Sequence, residues 1–149
     1  MPVVTNSITI KKPLPEVFDF LDDPANAAKW FSGVSETVGV TRTEERVGDT
    51  STVKYSVMGM HMDIAQTVTE WEKDARVTIK LGGMMPGTYT TTVSADGDNT
   101  TVTQTFDYEV KGGALGKAMD RLVLEKMNAK NAKSSLKKLK DLLESTSAS

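Results

Sequence analysis

The chain has 149 residues, a formal net charge of −2, no cysteine and one histidine, and hydrophobic residues make up 38% of it. This length fits one domain, and the lack of cysteine excludes disulfides, thiolate nucleophiles and the usual zinc sites. The small net charge gives no overall field for nucleic acid, and the apolar runs are too short to span a bilayer.

The first residues, MPVVTNSITIKK, have no basic segment followed by an apolar stretch, so we expect no secretory signal and a cytoplasmic protein. Residues 3–11 alternate in polarity and predict a strand. Pro13 suits the first turn of a short helix that follows. The Asp-Asp-Pro sequence at 22–24 ends this helix and begins a second short one, from Ala25 to Phe31, which Gly33 terminates.

From Val34 onward the hydrophobic period changes to two. Turn-forming residues divide this region into predicted strands at 34–43, 50–58, 61–72, 75–82, 87–95 and 99–110. Short links between such strands are typical of an up-and-down antiparallel meander. The glycine-rich segment 111–116 ends the last strand, and a helix is predicted from there to about Leu143. We expect residues 1–144 to form a single domain and residues 145–149 to be disordered.

The predicted order is therefore strand, two helices, six strands and a long helix. A single-layer sheet must bury one face, and only the long helix is available to cover it, so the fold class is α+β. This order, with FDFLDDPANAAKWFSGV after the first strand and one long helix at the end, resembles the START/Bet v1-like superfamily, also called SRPBCC. The sequence looks closest to its bacterial polyketide cyclase/dehydrase-like branch.

The resemblance implies a helix-grip fold, in which a curved seven-stranded antiparallel sheet wraps a long C-terminal helix. It also implies an internal cavity for a small hydrophobic ligand, lipid-like or aromatic and polyketide-like. Because the same fold hosts carriers, sensors, cyclases and adaptors, the resemblance specifies no activity. No set of catalytic residues carries over position by position, and we predict none.

The alternation of each strand selects the residues that face inward. The strand positions predicted to line the cavity are Tyr55, Met62, Ile64, Gln66, Ile79, Tyr89, Thr91, Gln104, Phe106 and Tyr108, and the long helix adds Met119, Leu122 and Val123. Gln66, Thr91 and Gln104 interrupt otherwise apolar faces. They either pair with each other, with a tyrosine hydroxyl or with water, or they orient a ligand.

The turns at one end of the meander are predicted to form the mouth of this cavity. They bring together Met58, Met60, His61, Met84 and Met85. Methionine adapts to irregular apolar shapes, as a binding rim requires, but the same residues could instead be hairpin tips folded onto the core edge. A lone histidine without cysteine is not a metal site, so we expect neither a metal nor another cofactor.

The long helix divides into two apolar arcs displaced by about 90°. The first contains Leu115, Ala118, Met119, Leu122 and Val123, and the second contains Ala129, Ala132, Leu136, Leu139 and Leu143. This displacement predicts a bend. A stripe of Lys126, Lys130, Lys133, Lys137 and Lys140 is predicted to face water.

The inner faces carry no Asp, Glu, His, Lys or Arg in mid-strand, so an enzyme would have to work with Tyr, Gln and Thr alone or with a group that reaches in from the mouth. We therefore predict binding of a small hydrophobic molecule. The alternatives are a cyclase or dehydrase acting on a polyketide-like chain, and an adaptor that binds a protein or membrane through the lysine stripe. No nucleic-acid partner is expected, peripheral membrane contact stays open, and the oligomeric state is unknown.

Overall fold

The structure is a computed structural model that describes residues 3–57, 59–83, 85–109 and 121–145, without the side chains of Arg121 and Leu122. The strands are β1 (Val3–Ile10), β2 (Val34–Val38), β3 (Thr50–Val57), β4 (Met60–Glu72), β5 (Arg76–Leu81), β6 (Gly87–Asp96) and β7 (Asn99–Tyr108). The helices are α1 (Leu14–Asp22), a 3₁₀ turn (Pro24–Asn26), α2 (Ala27–Trp30) and α3, described over Arg121–Ser145.

The seven strands form one antiparallel sheet in the order β1-β7-β6-β5-β4-β3-β2. Strands β2 to β7 are therefore the predicted meander, and β1 pairs with β7 at the edge. Together with the long helix α3 and the short helices after β1, this architecture is the predicted α+β helix-grip fold.

One face of the sheet is buried, as the alternation predicts. On β7, Val102, Gln104 and Tyr108 are buried while the threonines between them are half-buried. Buried side chains divide into two clusters. One surrounds Tyr55 and Leu124, and the other surrounds Val102 with Leu139 of α3.

The predicted strand 34–43 is wrong beyond Val38, where β2 ends and a loop of residues 39–49 begins. Gly39 (φ 62°) and Gly48 (φ 94°) adopt left-handed conformations that do not occur in a regular strand. The buried Asp49 carboxylate accepts hydrogen bonds from the Thr43 backbone N–H and hydroxyl, which holds the loop in place. The polar-apolar alternation of this segment is therefore not strand periodicity.

Helix α3 buries four of the five residues predicted for its second arc, Ala132, Leu136, Leu139 and Leu143, while Ala129 is half-buried, and the buried stripe continues toward its N-terminal side to Leu124. Its buried residues are Leu124, Asn128, Ala132, Ser135, Leu136, Leu139 and Leu143. The prediction that Val123 lines the cavity is wrong, because its side chain is 39% exposed while the neighbouring Leu124 is fully buried. The predicted inward residues Met119 and Leu122 lie outside the described side chains, as do Leu115 and Ala118 of the first arc.

The helix continues to Ser145, two residues past its predicted end and one residue into the predicted disordered tail, and residues 146–149 lie outside the described part. Four lysines of the predicted stripe, Lys126, Lys130, Lys133 and Lys137, are exposed. Lys140 differs, because its Nζ donates to the Thr9 carbonyl (3.0 Å) and to the Glu144 carboxylate (2.6 Å), tying α3 to β1. Among the described helices, none is long and apolar enough to cross a membrane.

Candidate functional site: a cavity between the sheet and the helices

A cavity of about 150 Å³, partly open to solvent, lies between the buried face of the sheet, the short helices and α3. Strands β3 to β7 supply about half of its lining residues, α1 and α2 supply residues such as Leu21 and Ala27, and α3 supplies Asn128 and Ala132. Most of these side chains are apolar or aromatic, so the site is suited to an apolar molecule.

An aromatic cluster forms one wall of the cavity. The rings of Tyr89 and Phe106 stack with their centroids 4.3 Å apart, and the Phe31 ring meets Phe106 edge-on at 5.7 Å. Phe31 also contacts the Tyr55 ring edge-on. Such packing holds the rings in fixed orientations and offers a flat apolar molecule both ring faces and ring edges.

Gly33 allows Tyr55 to reach this position. Its φ of 96° favours glycine, and a Cβ there would lie 2.6 Å from the Tyr55 ring and 2.7 Å from the Ser56 carbonyl oxygen. The predicted role of Gly33 in terminating the second short helix therefore extends to packing the chain against β3.

A polar cluster lies where α3 meets the sheet. The Tyr55 hydroxyl donates to Oδ1 of Asn128 (2.8 Å) and accepts from Nδ2 of Asn131 (3.0 Å). Nδ2 of Asn128 donates to the Tyr108 hydroxyl (3.1 Å) and lies 3.6 Å from the Met85 sulfur. We call Tyr55, Tyr108, Asn128 and Asn131 the Tyr-Asn cluster. It gives the mostly apolar cavity a polar end.

Sequence reasoning missed Asn128 and Asn131, because a polar residue on a helix is normally assigned to the exposed face. The available signal is spacing: Asn128 is four residues after the buried Leu124 and four before the buried Ala132.

The predicted polar positions on the strands behave differently from one another. Gln66 lines the cavity and accepts from the Ser51 hydroxyl (3.2 Å). Gln104 is 1% exposed and is not among the described lining residues; its Nε2 donates to the Tyr89 hydroxyl (2.5 Å) and lies 3.5 Å from the Thr91 hydroxyl. Its Oε1 has no hydrogen-bond partner among the described residues. Of the two alternatives for Gln104, the structure therefore favours pairing with a tyrosine hydroxyl over orienting a ligand.

Burial keeps the tyrosine hydroxyls protonated. It raises the pKa of Tyr89 to about 12, and it raises the pKa of Tyr55 and Tyr108 despite hydrogen bonds that act in the opposite direction. At neutral pH all three phenols are therefore neutral donors and acceptors.

The C-terminal end of α1 forms the acidic part of the wall, through Asp22 and Asp23. The Asp22 carboxylate accepts from the Trp71 indole N–H (3.0 Å) and from Nε of Arg46 (3.1 Å). The Arg46 guanidinium also lies 5.8 Å from the centre of the Trp71 ring, and Arg42 donates to the Asp22 carbonyl. We call these contacts the Asp22 latch, because they fasten the loop 39–49 to α1.

The structure brings many of the predicted residues to the cavity wall, namely Tyr55, Ile64, Gln66, Ile79, Met85, Tyr89, Phe106 and Tyr108. Met62 and Thr91 are not among the described lining residues, and Met62 is buried in the core.

Of the predicted mouth residues, Met85 is buried and contacts the Tyr-Asn cluster, Met60 is half-buried, and His61 is exposed, with its Nδ1 2.7 Å from the Ser56 hydroxyl. Met58 and Met84 lie outside the described residues. Within the described part of the chain, no group of three or more His, Asp or Glu side chains is arranged to hold a metal ion.

Fold and cavity together define a helix-grip protein of the START/Bet v1-like kind, and comparison with known proteins supports this class. The model of the family described as polyketide cyclase / dehydrase and lipid transport matches residues 1–144. The chain belongs to this family. No curated protein sequence matches the chain significantly.

Solved structures share the fold at low sequence identity. A protein from Thermus thermophilus is 23% identical with a TM-score of 0.82, over 98% of this chain and 100% of that one. A START superfamily protein from Mycobacterium smegmatis is 12% identical with a TM-score of 0.81, over 97% and 99% of the two chains. The Zhui aromatase/cyclase from Streptomyces sp. R1128 is 15% identical with a TM-score of 0.77, over 96% and 93%.

Proposed function

We propose that this protein binds a small, mostly apolar molecule in the cavity between its sheet and helices. The observation that carries this proposal is the wall itself, which consists mostly of aliphatic and aromatic side chains, with the Tyr-Asn cluster at one end and few other polar groups, namely Gln66, Asp22 and Asp23. Such a combination provides apolar burial for affinity and a few hydrogen bonds for orientation.

The chemistry of the described wall favours binding over catalysis. Tyrosine is protonated near neutrality, and burial raises the pKa of Tyr55, Tyr89 and Tyr108 further, so none of them is poised as a general base. The Asp22 carboxylate is already engaged by Trp71 and Arg46. The wall therefore supplies the apolar contacts and hydrogen bonds that binding needs, whereas neither these tyrosines nor Asp22 is free to act as a general base.

The second candidate is a cyclase- or dehydrase-type enzyme, favoured by the family description and by the likeness to an aromatase/cyclase. Protonated phenols are competent hydrogen-bond donors toward a carbonyl oxygen that gains negative charge, which such a reaction would use. The two candidates differ in the fate of the bound molecule.

A thermal-shift screen with aromatic and aliphatic compounds tests the proposal. At a free concentration 100 times the dissociation constant, a ligand stabilises the native state by about 2.7 kcal/mol. For a chain of this length that corresponds to a rise in Tm of about 5–11 °C. Each hit is then recovered and weighed by mass spectrometry. An unchanged mass supports binding, and a changed mass supports the enzyme.

A matched pair of variants shows whether the cavity is responsible. Ala132→Leu places a larger side chain on the cavity wall, whereas Ala129→Leu makes the same change on a half-buried position of α3 that is not among the lining residues. We expect Ala132→Leu to abolish the ligand-induced shift and Ala129→Leu to retain it. Equal shifts in both variants, or no shift across the whole library, would contradict the proposal.

A further inference from the structure

The Tyr-Asn cluster leaves one hydrogen-bond donor unused. The Tyr55 hydroxyl both donates, to Asn128, and accepts, from Asn131. The Tyr108 hydroxyl only accepts, from Nδ2 of Asn128, and its own proton meets no acceptor among the described residues. Tyr108 is 4% exposed and lies on the cavity wall. A buried O–H without an acceptor is costly, so a ligand oxygen at this end would gain a hydrogen bond that the empty protein lacks.

The volume of the cavity limits how much of that ligand the protein can enclose. A cavity of about 150 Å³ in a protein interior holds a molecule the size of benzene, and the volume here is about 150 Å³. The cluster of Phe31, Tyr89 and Phe106 on its wall favours a flat ring, because aromatic rings pack well edge-on and face-on against one another. One aromatic ring with a short substituent fits these limits.

The charges near the cavity disfavour an anion. The described lining residues include the carboxylates Asp22 and Asp23 but no Lys or Arg; the guanidinium groups of Arg42 and Arg46 lie outside the lining and are already paired with these carboxylates. The Glu125 carboxylate is also close enough to Tyr108 to raise its pKa further. A carboxylate ligand would therefore lose water without gaining a cation, which is unfavourable.

Resting on the proposed function, we infer that the cavity takes a neutral, single-ring aromatic carbonyl compound. Its carbonyl oxygen accepts from the Tyr108 hydroxyl, and its ring packs against Phe31, Tyr89 and Phe106. Asn128 positions the Tyr108 hydroxyl by donating to its oxygen, which leaves the proton for the ligand.

Three probes of nearly the same shape separate the contributions: acetophenone, α-methylstyrene and benzoate. α-Methylstyrene replaces the carbonyl oxygen with a methylene group, and benzoate replaces the methyl ketone with a charged carboxylate. Dissociation constants are measured by NMR titration for the wild type, for Tyr108→Phe and for the control Tyr89→Phe. In the control, the hydroxyl removed is one already bonded to Gln104.

We expect Tyr108→Phe to weaken acetophenone by about 3- to 10-fold, the value of one neutral hydrogen bond, and to leave α-methylstyrene unchanged. Tyr89→Phe should show no such selectivity, and benzoate should bind the wild type at least about 10-fold more weakly than acetophenone, because its charge is left unpaired. If Tyr108→Phe does not fold, the ¹³C chemical shift of carbonyl-labelled acetophenone bound to the wild type tests the inference instead. A hydrogen bond to the carbonyl oxygen moves that resonance downfield.

The possible failures are distinguishable. If acetophenone and α-methylstyrene both bind but Tyr108→Phe affects them equally, or the carbonyl resonance does not move, the inference is wrong and the proposed function stands. Tightest binding of benzoate would likewise overturn the inference alone. If none of the three probes binds and the compound screen also gives no shift, both fail.

Discussion

Each of the chain's three tyrosines lines the cavity, and the burial of their hydroxyls links the site to stability at high pH. The pKa of Tyr89 is about 12 in the folded protein, raised by burial from 10.0. Between these values the unfolded chain releases the Tyr89 proton while the folded chain retains it. The contribution of Tyr89 to the free energy of unfolding is therefore fully present below a pH of about 10 and is lost as the pH rises toward about 12.

We expect the free energy of unfolding to fall across this interval by roughly 2–3 kcal/mol on account of Tyr89. Tyr89→Phe removes the titrating group, so the free energy of unfolding in urea should fall less steeply for this variant between about pH 10 and 12. Taking the difference between the two proteins cancels the titration of lysines that both share. Parallel pH profiles would show that Tyr89 does not keep its proton in the folded state.

Gln104 tests whether a buried amide stabilises the structure through its tyrosine partner. Gln104→Leu removes an Oε1 that has no partner among the described residues, but it also removes the donor to the Tyr89 hydroxyl. In a double-mutant cycle with Tyr89→Phe, we expect a coupling of about 0.5–1.5 kcal/mol. Urea unfolding of the four proteins measures it. Additive effects would mean that the two side chains do not interact in solution.

At the scale of elements, the Asp22 latch joins α1 to the loop 39–49. The Asp22 side chain is only 11% exposed and receives both an indole N–H and a guanidinium, whereas Asp63, paired with Lys54 at 2.9 Å, is 62% exposed. We expect Asp22→Ala to cost about 1–3 kcal/mol, because it leaves the half-buried donors of Trp71 and Arg46 unpaired. Asp63→Ala should cost about 1 kcal/mol or less. Chemical denaturation compares them, and equal costs would show that the latch contributes no more than a surface ion pair.

Adjacent residues of α3 distinguish its two faces. Leu124 is fully buried and Val123 is 39% exposed. Leu124→Ala is expected to destabilise the protein by about 2–5 kcal/mol and Val123→Ala by about 0.5 kcal/mol or less. Thermal or urea unfolding checks both values. A larger effect at Val123 would restore the sequence-based assignment of the inner face.

These elements also show which features the sequence could predict. The inner faces of the strands follow from period-two alternation, since β7 buries Val102 and Tyr108 with polar threonines between them. The prediction of a strand up to residue 43 was wrong after Val38, where Gly39 adopts a left-handed conformation and the chain enters a loop. Asn128 was missed because polarity alone does not distinguish an exposed amide from one paired with buried phenols. The docking of α1 and α2 on the cavity depends on long-range contacts that no local pattern encodes.

At the scale of the whole molecule, the C-terminal end of α3 packs in the core and is hydrogen-bonded to the end of the edge strand β1. Leu143 is 5% exposed within the second core cluster, and the Glu144 carboxylate accepts from the Lys11 backbone N–H (2.8 Å) and from Lys140. These contacts join the last described helix to the end of β1, at opposite ends of the chain. We therefore propose that residues 1–144 fold as one cooperative unit, with the short helices, sheet and α3 unfolding together.

Two truncations test this unit. Removing residues 146–149 should leave Tm nearly unchanged, because the contacts above remain intact. Removing residues 143–149 deletes Leu143 and Glu144, and the loss of a buried leucine alone costs about 2–5 kcal/mol. For a chain of this length each kcal/mol lowers Tm by roughly 2–4 °C, so we expect a fall of about 4–20 °C in calorimetry with a single transition. Two separate transitions, or a longer truncation as stable as the full chain, would show that β1 and the end of α3 do not fold as one unit with the rest.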